Sequence, residues 1–261
     1  MLFLSLNPVS KPSLSKTSIV VPTYMEAENV DMLTRRIHKT MTEYNMSYEI
    51  IFVDDNSQDD IEKIISNLSA EGLNVRLIQR KDERGLSTAV IRGFSEAEGE
   101  ILVCMDADLS HPPEAIHVMI NKIVKDNAEF VIGSRYVNGG STDHKWTIYR
   151  RINSSIATLF AKPFTTAKDP MSGFFAIPER VYKRGNSFNP IGYKIALELI
   201  VRCRCKDVLE VPIHFSNRRY GESKLNLKEQ LHYLVHIKRL ISYKLKHLKS
   251  KLLPTNCPYN K

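Results

Sequence analysis

Apolar and β-branched residues gather in short runs over the first half of the chain: TSIVVP (17–22), YEIIFVDD (48–55), VRLIQ (75–79), ILVCMD (101–106) and FVIGSR (130–135). Between the runs, near 26–44, 59–70, 86–97 and 112–126, apolar positions recur every three or four residues. Runs that are apolar at successive positions predict strands buried on both faces, and the intervening pattern predicts amphipathic helices. Strand and helix in strict alternation make an α/β fold, a mostly parallel sheet with helices on both faces. Such sheets bind ligands at the carboxyl ends of their strands. The polar clusters PTYMEAEN, DDNS, DADLS and GSRY all fall there, a concentration that a purely structural sheet does not require.

After residue 135 the pattern loosens. A glycine-containing loop, YVNGGSTDHKW, precedes a predicted helix over 147–161, a loop and strand in DPMSGFFAIP, and a helix around 193–203. A strand, VLEVPIHF, and the loop SNRRYGESK lead into a long C-terminal helix. There is no repeat, linker or low-complexity tract. The expected organisation is a loose arm over 1–16, one domain over 17–225, and a basic amphipathic helix and tail over 226–261. On that helix Leu227, Leu231, Leu234, Ile241, Leu245, Leu248 and Leu252 form a stripe interrupted by Lys238. The stripe suits either a membrane interface or packing against the domain.

Composition narrows the class. At 261 residues and 43% hydrophobic the chain can bury a substantial core. Residues 228–252 carry +6 of the net +8, which points that segment at an anionic surface, membrane or nucleic acid. No stretch reaches the roughly 18–20 apolar residues of a membrane span, and MLFLSL is too short for a signal-peptide core, so the expected location is the cytosol. Cys104, Cys203, Cys205 and Cys257 form no CxxC pair, so reduced thiols are expected and a structural zinc is not.

The chemistry starts at DAD. Asp106 and Asp108, two apart at a strand end, point the same way, and paired like charges call for a cation. A hard divalent ion such as Mg²⁺ or Mn²⁺ takes one or two carboxylates together with substrate phosphates. Taken alone, DxD before HPPE reads equally well as turn and helix-cap residues, as do VDDNS and VPTYMEAEN, with Asp59 a cap for the next helix. His111 reads as part of the SHPP turn. The run RKDERGLSTAVIRGF holds neither GxGxxG nor a P-loop, which disfavours dinucleotide and P-loop chemistry.

Taken together, VPTYMEAEN, VDDNS, RGLSTAVIRG, MDADLSHPPE, GSRY, DPMSGFF and VPIHFSNRRYGESK resemble the dolichol-phosphate mannosyltransferases and related polyprenyl-phosphate glycosyltransferases, an inverting family-two group with the GT-A (Rossmann-like) fold. The resemblance runs from about residue 17 to about 230, and RYGESK after a VPI strand is its most specific part. It implies that Pro22, Tyr24, Glu26, Val53 and Asp55 hold the donor nucleoside. Asp106, Ala107 and Asp108 would meet the diphosphate through Mg²⁺ or Mn²⁺, with Asp108 the main ligand and Ser110 beside the ion. Arg135, Arg218 and Lys224 would bind phosphates, and Arg150 and Arg151 could approach the acceptor. Guanidinium forks and an ammonium suit phosphate oxygens on chemical grounds as well.

The implied substrates are a nucleotide sugar (GDP-mannose, or a UDP-hexose) and dolichyl or polyprenyl phosphate. The implied location is the cytosolic face of a membrane, reached directly or through a membrane-anchoring partner. Phe175 stands where other members carry an arginine, which leaves mannose and glucose both open. Two rival readings remain: a soluble family-two enzyme with a glycan or protein acceptor, and a nucleic-acid-binding protein. The second explains neither DAD nor RYGESK, so no nucleic acid is expected.

Overall fold

The structure, a computed structural model, describes residues 15–143, 156–186, 188–192, 194–217 and 227–252, with the side chains of the last segment described from His232 to Lys246. The expected N-terminal arm, Arg150, Arg151, Arg218 and Lys224 therefore lie outside the described residues or, for the arm, almost wholly so.

The first half alternates as its pattern predicts: β1 (Thr17–Thr23), α1 (Ala27–Glu43), β2 (Tyr48–Asp54), α2 (Ile61–Ala70), β3 (Val75–Gln79), α3 (Leu86–Ser95) and β4 (Ile101–Cys104). A 3₁₀ turn (Pro113–Ala115) then opens α4 (Ile116–Asp126), which ends at a left-handed Asn127 before β5 (Phe130–Ser134). There follow β6 (Ser141–Thr142), α5 (156–161), β7 (Phe175–Pro178), α6 (Glu179–Tyr182), α7 (Ile195–Arg202), β8 (Val208–Pro212), β9 (His214–Phe215) and α8 (Leu227–Leu252).

Seven strands form one sheet in the order β3-β2-β1-β4-β7-β5-β8. All neighbours are parallel except β7, which runs antiparallel to both β4 and β5. Period-two alternation divides the strands between two cores. Ile19, Val21, Ile50, Phe52, Ile101 and Val103 face α1, α2 and α4, while Val20, Ile51, Val53, Leu102 and Cys104 face α3 and α7. Gly93 lets α3 sit tight on the sheet, since a Cβ there would meet Val20 Cγ1 at 2.4 Å.

The predicted strand VLEVPIHF is two strands. Val208–Pro212 pairs with β5, and Ile213 N–H still donates to Ser134 O at 3.0 Å, but β5 ends at Ser134. The chain then leaves the sheet, and His214–Phe215 pairs with Ser141–Thr142 of the glycine-containing loop.

The C-terminal helix packs through a row that the leucine stripe did not mark. Tyr233, His236, Ile237 and Leu240 are buried against α5 and α7, whereas Leu234, Ile241 and Leu245 of the stripe are exposed. At ~100° per residue these are two different faces of one helix. Among the described residues no helix is long and apolar enough to cross a membrane.

Candidate active site

At the carboxyl ends of β1 and β2, Pro22 and Val53 are register partners, so two candidate donor-binding residues lie side by side on the sheet. The two aspartates after Val53 then divide their work. Asp54, fully buried, accepts Thr23 Oγ1 at 3.2 Å, Ser57 Oγ at 2.6 Å and Ser57 N–H at 2.7 Å, and so staples the loops together. Ser57 Oγ also accepts Met25 N–H at 2.8 Å, where the backbone is left-handed (φ 60°). Asp55 is gripped by Arg80, whose Nε and Nη2 both donate to Oδ1, while Gly85 N–H donates to Oδ2 at 2.7 Å. A carboxylate has about four lone-pair sites, so this grip orients Asp55 and leaves it acceptor capacity.

Tyr24 is partly exposed beneath the Arg84 guanidinium, 5.0 Å from its ring centroid, and Glu26 accepts Asn29 Nδ2 at 2.7 Å. Asp59 caps two helices at once, accepting Ala27 N–H at 3.1 Å and Ile61 N–H at 3.4 Å.

DAD follows β4. The left-handed Leu109 (φ 61°) folds Ser110 back, so that its N–H and Oγ donate to Asp108 Oδ1 at 3.1 and 2.6 Å. Ser110 thereby orients the carboxylate of the buried Asp108. Ala107 between the two aspartates is buried in the core. His111 Nδ1 accepts Asp106 N–H at 3.1 Å, which puts the ring proton of the neutral form on Nε2. Burial holds the His111 pKa below its ordinary value despite the opposing pull of Asp106 and Asp108. The ring stacks on Phe174 and meets Phe215 edge-on, each at 5.3 Å. His111 is an anchor for the DAD backbone.

The donor set is made of oxygen. Asp106 faces Gly173, where a Cβ would stand 3.1 Å from Oδ1, so any larger residue there would push on that carboxylate. Two carboxylates without a thiolate, and with the neighbouring imidazole nitrogen already engaged, suit Mg²⁺ or Mn²⁺ better than zinc.

Arg135 leaves the end of β5 and forms a fork with Asp169 of DPMSGFF: Nε donates at 2.8 Å, Nη2 at 2.7 Å and the Arg135 backbone N–H at 3.0 Å. Burial works against the guanidinium charge, but the Asp169 contacts outweigh it and leave the Arg135 pKa raised. Glu210 of β8 fastens the Asp169 loop by accepting the backbone N–H groups of Lys168 and Asp169 at 2.8 and 2.9 Å. The guanidinium also lies over Phe215, 5.2 Å from its centroid.

Sequence reasoning passed over Arg80, Asp169 and the β9 corner. Ser216 N–H donates to Ser110 O at 3.1 Å, which ties the start of the SNRRYGESK loop to the DAD loop. The described residues of the sheet's carboxyl edge thus bring together Asp106, Asp108, Ser110, Arg135, Asp169 and Ser216.

This constellation has relatives. The family model for glycosyl transferase family 2 matches residues 18–185. The dolichol-phosphate mannosyltransferase of Saccharomyces cerevisiae is 44% identical over 235 residues, which cover 87% of each chain. The chain belongs to glycosyl transferase family 2, in its dolichol-phosphate mannosyltransferase branch. A second member of that branch, from Pyrococcus furiosus, is 43% identical over 232 residues, covering 87% of this chain and 64% of that one. Among solved structures, the glucosyl-3-phosphoglycerate synthase of Mycobacterium tuberculosis, in complex with Mn²⁺, UDP-glucose and phosphoglyceric acid, superposes with a TM-score of 0.62. It is 16% identical over 87% of this chain and 79% of its own, and shares the GT-A fold. The chain is accordingly a glycosyltransferase.

Proposed function

We propose that this enzyme transfers mannose from GDP-mannose to a dolichyl or polyprenyl phosphate with inversion at the anomeric carbon. The observation that carries the reading is the Ser216–Ser110 hydrogen bond, because it sets the residue that leads toward RYGESK in the sequence against the DAD loop. The names of the relatives at 43–44% identity support the same donor and acceptor.

In this reading Pro22, Tyr24, Glu26, Val53 and Asp55 hold the nucleoside, with Arg80 setting the angle of Asp55. Asp106 and Asp108 would hold Mg²⁺ or Mn²⁺ against the donor diphosphate, Asp108 being kept in position by Ser110. When bound, the ion neutralises charge on the departing diphosphate. Arg135, steadied by Asp169, would lend its positive charge to phosphate, with Arg218 and Lys224 and, toward the acceptor, Arg150 and Arg151 as further cations. A phosphate monoester has a second pKa near 6 and is largely dianionic at neutral pH. Its oxygen attacks the anomeric carbon, the bond from that carbon to the diphosphate oxygen breaks, and no general base is needed. Catalysis is then chiefly positioning and charge stabilisation. The acceptor's long hydrocarbon tail means that the enzyme works at a membrane surface.

The test is a panel of nucleotide sugars, GDP-mannose and UDP-glucose included, offered with a short-chain polyprenyl phosphate in detergent and Mn²⁺ or Mg²⁺. A mannosylated lipid phosphate from GDP-mannose is expected. A product that forms only from UDP-glucose, or only on a glycan acceptor, overturns the assignment.

A further inference from the structure

Two glycines turn the chain just after β5. Gly139 is left-handed (φ 88°), and a Cβ on Gly140 would stand 2.7 Å from Ser134 O, so only a residue without a side chain lets the loop double back this closely. The turn lays Ser141 and Thr142 beside His214 and Phe215, with Ser141 N–H donating to Ile213 O at 3.0 Å and Asp143 N–H to Phe215 O at 3.2 Å. Two paired residues make a weak ladder on their own.

Side chains complete it. Asp143 Oδ1 lies 3.1 Å from His214 Nε2, and Oδ2 accepts Asn217 N–H at 2.6 Å. A carboxylate only accepts, so the ring proton of neutral His214 sits on Nε2, and Nδ1 accepts the Ser141 hydroxyl at 2.8 Å. From His214 to Asn217 every residue is thereby held. His214 is bound to Ser141 and Asp143, and Phe215 lies under the Arg135 guanidinium and edge-on to His111. Ser216 N–H donates to Ser110 O, and Asn217 N–H to Asp143. Contacts on one side fasten β9 to β6, and those on the other set it against Arg135 and the DAD loop.

We infer that Asp143 is a positioning residue of the transfer reaction, holding β9 so that Phe215 and Ser216 keep Arg135 and the DAD loop in the geometry that meets phosphate. The inference rests on the functional reading for the roles of Arg135 and DAD. It goes beyond that reading in giving work to Ser141, Asp143 and His214, which lie outside the site. Among the described residues the bonds of Asp143 go to His214, Phe215 and Asn217, so it acts through β9.

Three substitutions separate position from charge. Asp143→Ala removes both carboxylate bonds and lowers kcat about tenfold or more, while the KM for donor changes less than about threefold, because misplaced groups at a reacting centre cost turnover. Asp143→Asn loses the charge but can remake the network. Its Oδ1 still accepts Asn217 N–H, and its Nδ2–H donates to Nε2 of the other His214 tautomer, whose Nδ1–H donates to Ser141 Oγ; kcat therefore stays within about twofold of wild type. His214→Ala keeps the Asn217 bond and falls between the two, and it carries the test if circular dichroism shows Asp143→Ala to be unfolded. Asp126→Ala, which removes an exposed acid paired with Lys122 on α4, leaves kcat unchanged. Hydrogen exchange reads the clasp directly: in Asp143→Ala the peptide spanning 214–217 exchanges about tenfold faster, with α1 unaltered. Kinetics use the donor and acceptor on which the wild type turns over, so a product other than a mannosylated lipid phosphate strikes the functional reading and leaves this test in place. Wild-type kcat in Asp143→Ala, an equal loss in Asp143→Asn, or unchanged exchange over 214–217 would each overturn the inference.

Discussion

The two halves of this enzyme are held together by different physics. From β1 to β4 the chain is ordered by backbone ladders: seven consecutive residues of β1 pair in register with β2, and both faces of these two strands are buried. Asp55 and Asp106 follow those strands within a residue or two and take their positions from the ladder. Beyond β5 only part of the chain joins a ladder: β5 pairs with β8 over five residues but with β7 over two. There α8 is held to α7 by side chains. Lys194 lies over the Tyr233 ring at 3.7 Å, Glu198 meets His236 at 2.8 Å, and Arg202 lies over Tyr243 at 4.7 Å. In the proposed function the groups that would meet a metal-bridged diphosphate stand on a stiff frame, whereas the second half is joined by contacts that can be broken one at a time.

The largest expected effect lies on the stiff side. Asp108→Ala should lower metal-dependent transfer by about 10³-fold or more, since a group engaged in stabilising developing charge is lost. The fold should persist, because the hydrogen bonds from Ser110 to Asp108 lie within one loop. Steady-state turnover across a Mn²⁺ titration checks this, and wild-type turnover in the variant would remove the metal assignment.

A smaller effect is expected where the two halves meet. Asp169→Asn keeps the size of the side chain but turns one accepting oxygen of the fork into an N–H donor and removes the charge that outweighs burial of Arg135. Turnover should fall on the order of 10²-fold, a typical loss for one preorganised electrostatic contact. The loss should appear in kcat more than in the KM for donor. An equal loss from Glu210→Gln, which touches only the backbone of the 168–169 loop, would show that loop position rather than the Asp169 charge governs Arg135.

What the sequence discloses follows the same division. Short apolar runs rich in β-branched residues and bounded by turn residues fit strands covered on both sides, so β1 to β5 and the helices between them are legible to within a few residues. Arg80 is not, because in RKDER every residue looks solvated and only the end of β3 turns the first of them onto Asp55. Asp169 is hidden because DP reads as the start of a turn, and nothing local tells that a β5 arginine will arrive beside it. The α8 seam is hidden for another reason. A count of leucines selects the exposed stripe, whereas the buried row is built around Tyr233 and His236, whose Oη and Nε2 meet partners far away in the chain, Ala157 O and Glu198.

That seam supplies the mildest test and the only one that pH can operate. Burial alone would raise the Glu198 pKa, but hydrogen bonds from His236 and the Asn189 backbone N–H, with the charge of Arg202, outweigh it and hold the carboxyl below its ordinary value. A carboxyl depressed in the folded state stabilises the fold above its unfolded pKa, near 4.3, and that contribution disappears as pH falls through the lower folded value. His236→Ala, which removes one donor and leaves Arg202 and Asn189 in place, should cost about 1–3 kcal/mol at neutral pH. Glu198→Gln should also lower the thermal midpoint at neutral pH, and the gap from wild type should close on acidification below the ordinary carboxylate range. A gap that persisted unchanged into acid would mean that packing of Tyr233, Ile237 and Leu240, rather than the Glu198 charge, holds α8 to the domain. The seam would then be held by apolar side chains rather than by a paired charge, and pH would not loosen it.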